Sequence, residues 1–167
     1  LAYLLGYNDY VNITRQYLKN YNMLFITREN LMRMVKDLQD EMIPSAPVAR
    51  YGNMPSGGTG ELNSVESMAD GNMMRDKRIR QMEQDIEHIN RLFEMLSRSI
   101  GALDQAEQEI LHDAYIDGKS WGEIGRDRYI TEKWARQRAG KAIRKVAMMM
   151  FGMDAVPLNE ESFCFAV

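Results

Sequence analysis

Apolar side chains recur at helical spacing through most of this chain. Near the N-terminus Tyr10, Tyr17, Leu24, Leu31 and Leu38 follow one another every seven residues, and Tyr21, Val35 and Met42 fall four positions after members of that line. This stripe predicts one amphipathic helix from Asp9 to Ile43, within a first element covering residues 1–43, that seeks a partner for its apolar face. Thr27 and Arg28 interrupt the seam, and Thr27 is also placed to cap a separate second helix.

A second stripe is more regular. Ile79, Met82, Ile86, Ile89, Phe93, Leu96, Ile100 and Leu103 alternate spacings of three and four, the heptad seam of a coiled-coil-like helix. That helix is expected over residues 64–102, opened by Ser64 or by Asn63-x-x-Glu66 and weakened in its first turns by Gly71. At ~1.5 Å per residue each long helix reaches roughly 50–55 Å. Similar lengths predict an antiparallel hairpin, although the same seams could also join two chains in a homodimer. Between them, residues 44–63 hold three prolines and four glycines, which predicts an exposed connection. The stretch Gly52–Thr59 is no phosphate loop, because Gly58 stands where lysine is required and no strand precedes it.

From Leu103 the elements shorten. Asp104-x-x-Glu107 opens a helix to Ile116, and Gly118 is a candidate left-handed C-cap. Ser120-x-x-Glu123 starts a short helix and Thr131 caps the next. Ala106, Ile110, Ala114 and Tyr115 are expected to face Trp121 and Ile124, with Gly125 at a close crossing. Ala135, Ala139, Ala142, Ile143 and Val146 form the buried side of the last helix, ending at Phe151-Gly152. Trp134 reads as core or as a DNA backbone contact. The fold class expected is all-α: a long helical hairpin, then a three-helix helix-turn-helix module over residues 103–152. The tail, residues 153–167, is acidic and then apolar and predicts no role.

Charge sharpens this picture. Arg126 to Lys145 carries eight basic residues against two acidic ones, a local +6 in a chain whose formal charge is −3. Two capped helices joined by a short turn, the second of them basic, predict a DNA interface. Lys133, Arg136, Gln137 and Arg144, with Gly140, are expected to point outward; Lys141 and Lys145 complete the candidate DNA-binding set. Arg and Gln are the side chains that pair bidentately with guanine and adenine edges.

Other chemistry finds no support. The longest late apolar run, Val146–Met153, is too short to span a membrane. Leu1–Tyr7 lacks a basic leader and cleavage site, and an opening Leu1 in place of Met points to a trimmed N-terminus. The single Cys164 forms no internal disulfide, which fits a reducing cytoplasm. His88, His112 and Cys164 do not make a metal site, Glu107 and Glu109 read as capping and solvated residues, and no nucleophile elbow occurs. Neither enzyme activity nor a cofactor is expected.

Leu103 to Lys145 resembles region 4 of bacterial sigma-70-type factors, through Leu103, Glu107, Ile110, Leu111, Tyr115, Gly118, Ser120, Glu123, Ile124 and Thr131. The whole layout is similar to sigma-like regulators encoded by phages and prophages of Gram-positive bacteria. The resemblance implies a transcription regulator that binds promoter DNA and touches RNA polymerase in the bacterial cytoplasm. Arg128 and Tyr129 depart from the family, which has Leu and then Gly or Asn there, and no segment resembles the one that melts promoters. Two other readings stay open: the small, DNA-recognising subunit of a phage packaging machine, and a polymerase-binding interaction protein that does not touch DNA.

Overall fold

The computed structural model describes residues 6–41 and 60–156, with side chains in the second stretch from residue 69 onward. All regular structure among these residues is helical: α1 (Tyr7–Lys19), α2 (Tyr21–Asp40), α3 (Gly60–Gly101), α4 (Gln105–Leu111), a π-helical turn (His112–Ile116), α5 (Trp121–Asp127), α6 (Glu132–Phe151) and a closing 3-10 turn (Gly152–Ala155). The chain divides into two compact units, one formed by the residues up to Phe25 together with those from Asn90, the other by Ile26–Ile89. The expected loop over residues 44–63 begins outside the described residues, and its last four belong to α3, which therefore starts before Ser64. Met42, Cys164 and the tail beyond Val156 also lie outside them.

The N-terminal helix is not continuous, and its break is not at Thr27, which lies inside α2. The irregular residue is Asn20, with φ −96° and ψ 7°. Hydrogen bonds continue on both sides, from the Asn20 amide to Gln16 and from the Leu24 amide to Asn20. The buried side explains the position. Val11, Thr14 and Leu18 are buried, and Tyr21, Leu24, Arg28, Leu31, Val35 and Leu38 continue the inward line. Their spacing runs three, four, three, and then three again between Tyr21 and Leu24. Two successive threes shift the phase of a helical seam, and Asn20 sits inside that shift. The seven-residue line through Tyr10 and Tyr17 thus runs one position beside the deepest face of α1.

In the second unit the predicted seam of α3 is inward: Ile79 and Met82 are buried with Val35, flanked by Leu31, Leu38 and Ile86. In the first unit Leu96 and Leu103 join Val11, Leu18, Ile110, Leu111, Ile124 and the inner side of α6 in one core. Tyr21 tilts against Phe93 with centroids 4.8 Å apart, and Tyr10 meets Phe151 at 5.0 Å. Ala135, Ala139, Ala142, Ile143 and Val146 are at most 1% exposed, so the alanine stripe is the buried side of α6 as its spacing predicts. Small side chains let α1, α4 and α5 all pack against this helix. Gly152, at φ 66°, ends it, and Ala155 is buried just beyond.

Candidate nucleic-acid interface

Local sequence builds both short elements of the module. The Ser120 hydroxyl accepts from the Glu123 amide at 3.3 Å while the Glu123 carboxylate accepts from the Ser120 amide at 2.7 Å. This reciprocal box starts α5. The Thr131 hydroxyl accepts from the Trp134 amide at 3.2 Å and starts α6. Between them the chain turns tightly. A Cβ on Gly125 would lie 2.9 Å from the Ile130 carbonyl oxygen, so only glycine permits this approach. Tyr129 adopts φ 56° and is 97% exposed. It occupies a left-handed position that favours Gly or Asn, while Gly118, at φ 68°, turns the chain ahead of α5.

Arg128, at the C-terminal end of α5, makes an ionic contact beneath the turn. Its guanidinium donates to Asp113 Oδ2 at 2.8 Å and also pairs with Glu109. Lys119 holds the other Asp113 oxygen at 3.1 Å and reaches Asp127 at 3.3 Å. Burial by itself would raise the Asp113 pKa, but Arg128 and Lys119 outweigh it and hold the carboxyl below its ordinary range. Two further pairs tie α4 to α6. Asp104 accepts from the Glu107 amide, which with Arg138 lowers its pKa, and Arg138 Nη2 donates to both its oxygens at 3.0 Å. Glu107, 4% exposed, receives Lys145 Nζ. Its side chain therefore does not close a capping box at Asp104, and it is neither a capping nor a solvated residue.

The six candidate DNA-binding residues divide by their partners. Lys133, Gln137, Lys141 and Arg144 are exposed and spaced four, four and three apart on the side of α6 opposite the alanines. No ion pair among the described residues engages Lys133, Lys141 or Arg144. Gly140 borders this face beside Arg136, with nothing within 4 Å of a Cβ added there, so that edge of the face is open. Arg136 flanks it, paired with Glu132 and 5.8 Å from the Trp121 ring centroid. Lys145 flanks the other side, held by Glu107. Trp134 is not core: it is 40% exposed and carries the Arg138 guanidinium 4.9 Å from its ring centroid.

The sequence pattern does not mark Val11 and Leu18 as core or Asp113 as the partner of Arg128 beneath the turn; Arg128 itself stands out in the sequence, but its pairing does not. Asp113 does carry a signal, an acidic residue one turn before Gly118 on the buried side of its helix. His112, Asp113 and Asp117 bring their ligand atoms within 4.8 Å of one another. Both Asp113 oxygens are already used by cations, however, which disfavours a metal ion there. No family model, no curated protein and no solved structure matches the chain.

Proposed function

We propose that this protein is a sequence-specific DNA-binding transcription regulator of the sigma region 4 type, encoded by a phage or prophage and also contacting RNA polymerase. One observation carries the reading: a capped helix behind a tight turn presents Lys133, Gln137, Lys141 and Arg144 on one exposed face that no ion pair among the described residues engages. Cations left uncompensated in an acidic chain suit phosphate, and an amide side chain among them suits a base edge. The helix is tied to α4 by two ion-paired cations outside that face, Arg138 and Lys145, so seating a duplex need not disturb the fold. The test is selection of fragments from a random DNA pool, followed by titration of selected and scrambled duplexes at two salt concentrations. Preference for the selected duplex with a steep salt dependence supports the reading. Salt-insensitive or absent binding, with polymerase still captured, replaces it by an interaction protein that does not use DNA. Ring-like assembly with DNA binding would transfer the interface to a packaging subunit.

A further inference from the structure

Beside the exposed face of α6 lies a groove of about 880 Å³, open to solvent and walled by α1, α5 and α6. Its lining includes Arg136 and Gly140 of α6 together with Arg15 and Lys19 of α1, a segment outside the sigma-like region. Arg15 and Lys19 stand four residues apart, hence on one side of their helix. The groove's other cations are satisfied internally, Lys119 by Asp113 and Asp127 and Arg136 by Glu132. No ion pair among the described residues engages Arg15 or Lys19. Arg15 is also pre-oriented, donating to Asn12 Oδ1 at 2.9 Å and standing beside the half-buried Tyr115 phenol.

We propose that α1 is part of the DNA interface, with Arg15 and Lys19 binding the phosphate backbone of the strand that borders α6 on its Arg136–Gly140 side. A helix in the major groove has a phosphate backbone along each flank, because the groove is only about 12 Å wide. Among the cations that line this groove, the two that no ion pair among the described residues engages belong to α1. Phosphate contacts of this kind position the protein without reading sequence. The N-terminal helix thus sets how the module is oriented on the duplex. This inference rests on the DNA reading of α6.

The experiment compares the full chain with R15A/K19A on a duplex selected from the random pool and on its scrambled counterpart, across salt. The expected result is equal weakening on both duplexes, with the slope of log K against log salt shallower by about two units, roughly 0.9 for each phosphate no longer neutralised. R15K/K19R retains most of the slope. Should Arg15→Ala loosen α1, Lys19→Ala alone carries the test, because that side chain is exposed, and about one unit is expected. Unchanged affinity and slope in these variants, while Arg144→Ala lowers both, overturns the role of α1 and leaves the α6 reading standing. Absence of any salt-sensitive binding by the wild type overturns both. Intact DNA binding with loss of polymerase binding assigns the groove to a protein instead.

Discussion

Glu107 and Lys145 are 38 positions apart, and the lysine ammonium donates to both oxygens of the carboxylate at 2.8 and 3.0 Å. The Glu107 side chain is only 5% exposed, whereas that of Lys145 is 53% exposed. The lysine thus lies across a buried acid and shields it from being an unpaired charge. This relationship changes what a basic residue on α6 means, since one of the cations that suggests DNA binding also holds α4 to α6.

Removing one partner is therefore expected to cost stability before it costs affinity. Lys145→Met leaves the carboxylate buried and unpaired, and about 1–3 kcal/mol of stability should be lost. The double variant E107Q/K145M removes the charge as well and should recover part of that loss. Denaturant titration of the single and double variants measures the coupling. Equal stability of Lys145→Met and the wild type would show that water already solvates Glu107.

The turn ahead of α6 allows a second test in which two neighbouring positions respond differently. Gly125→Ala puts a methyl group 2.9 Å from the backbone oxygen of Ile130, where no side chain can move aside. About 1–3 kcal/mol of destabilisation is expected. Tyr129 is open to solvent but left-handed, so Tyr129→Val should destabilise as well, through its β-branch, by about 1 kcal/mol or more. Tyr129→Gly should be tolerated. Thermal melts of the three variants decide this, and tolerance of valine would mean that the turn relaxes out of its left-handed conformation.

How much of this is legible in the sequence follows from the range of each interaction. The Ser120 and Thr131 caps, the Gly118 turn and the alanine stripe each depend on residues within about two turns of one another. Spacing alone therefore reveals them. The Ile79–Leu103 seam is legible for the same reason. The break at Asn20 is hidden because the line Tyr10–Tyr17–Leu24 is as regular as the true one; only tertiary packing, against α6 and the turns at either end of the module, selects Val11, Thr14 and Leu18. Arg128 and Asp113 are hidden because their pairing spans 15 positions and has no periodicity. The outward side of α6 is only partly legible. Helical spacing identifies exposed residues but not which of them, such as Arg136 and Lys145, already hold a partner.

The ions under the turn predict a fold that weakens in acid. Asp113 has its pKa lowered from 3.8 by Arg128 and Lys119 against the opposing effect of burial. A depressed carboxylate stabilises the fold fully above its unfolded pKa, and that contribution is lost as pH falls through the lower, folded value. Melting temperature is therefore expected to hold steady down to about pH 5 and then fall progressively below about pH 4. Asp113→Asn should melt lower at neutral pH, because Arg128 and Lys119 lose their charged partner, and should show a shallower acid decline. An acid decline as steep as that of the wild type would move the sensitivity elsewhere, to Asp104 or Glu123, whose carboxyls are also lowered.

The exposed face of α6 makes the last prediction, and its residues should differ in what they lose. Gln137 sits at the middle of the face beside the open surface at Gly140, so its amide is the side chain best placed to meet a base edge. Gln137→Ala should cost roughly 1–3 kcal/mol on the selected duplex and flatten the preference over scrambled DNA, with little change in salt dependence. Lys133, Lys141 and Arg144 have no ion-pair partner among the described residues, and replacing any of them by Ala should weaken both duplexes alike, reducing the salt slope by about one unit. Arg136 belongs to a third class: to reach DNA it must leave Glu132. Glu132→Gln should then strengthen binding by freeing the guanidinium and removing a carboxylate from the site, whereas Arg136→Ala should weaken it. Lys145→Met should lower stability while leaving the salt slope near that of the wild type at temperatures where it remains folded. If Lys145→Met instead reduces the slope by a full unit, the ammonium serves phosphate rather than Glu107, and the division of α6 into a free face and a tethered flank fails.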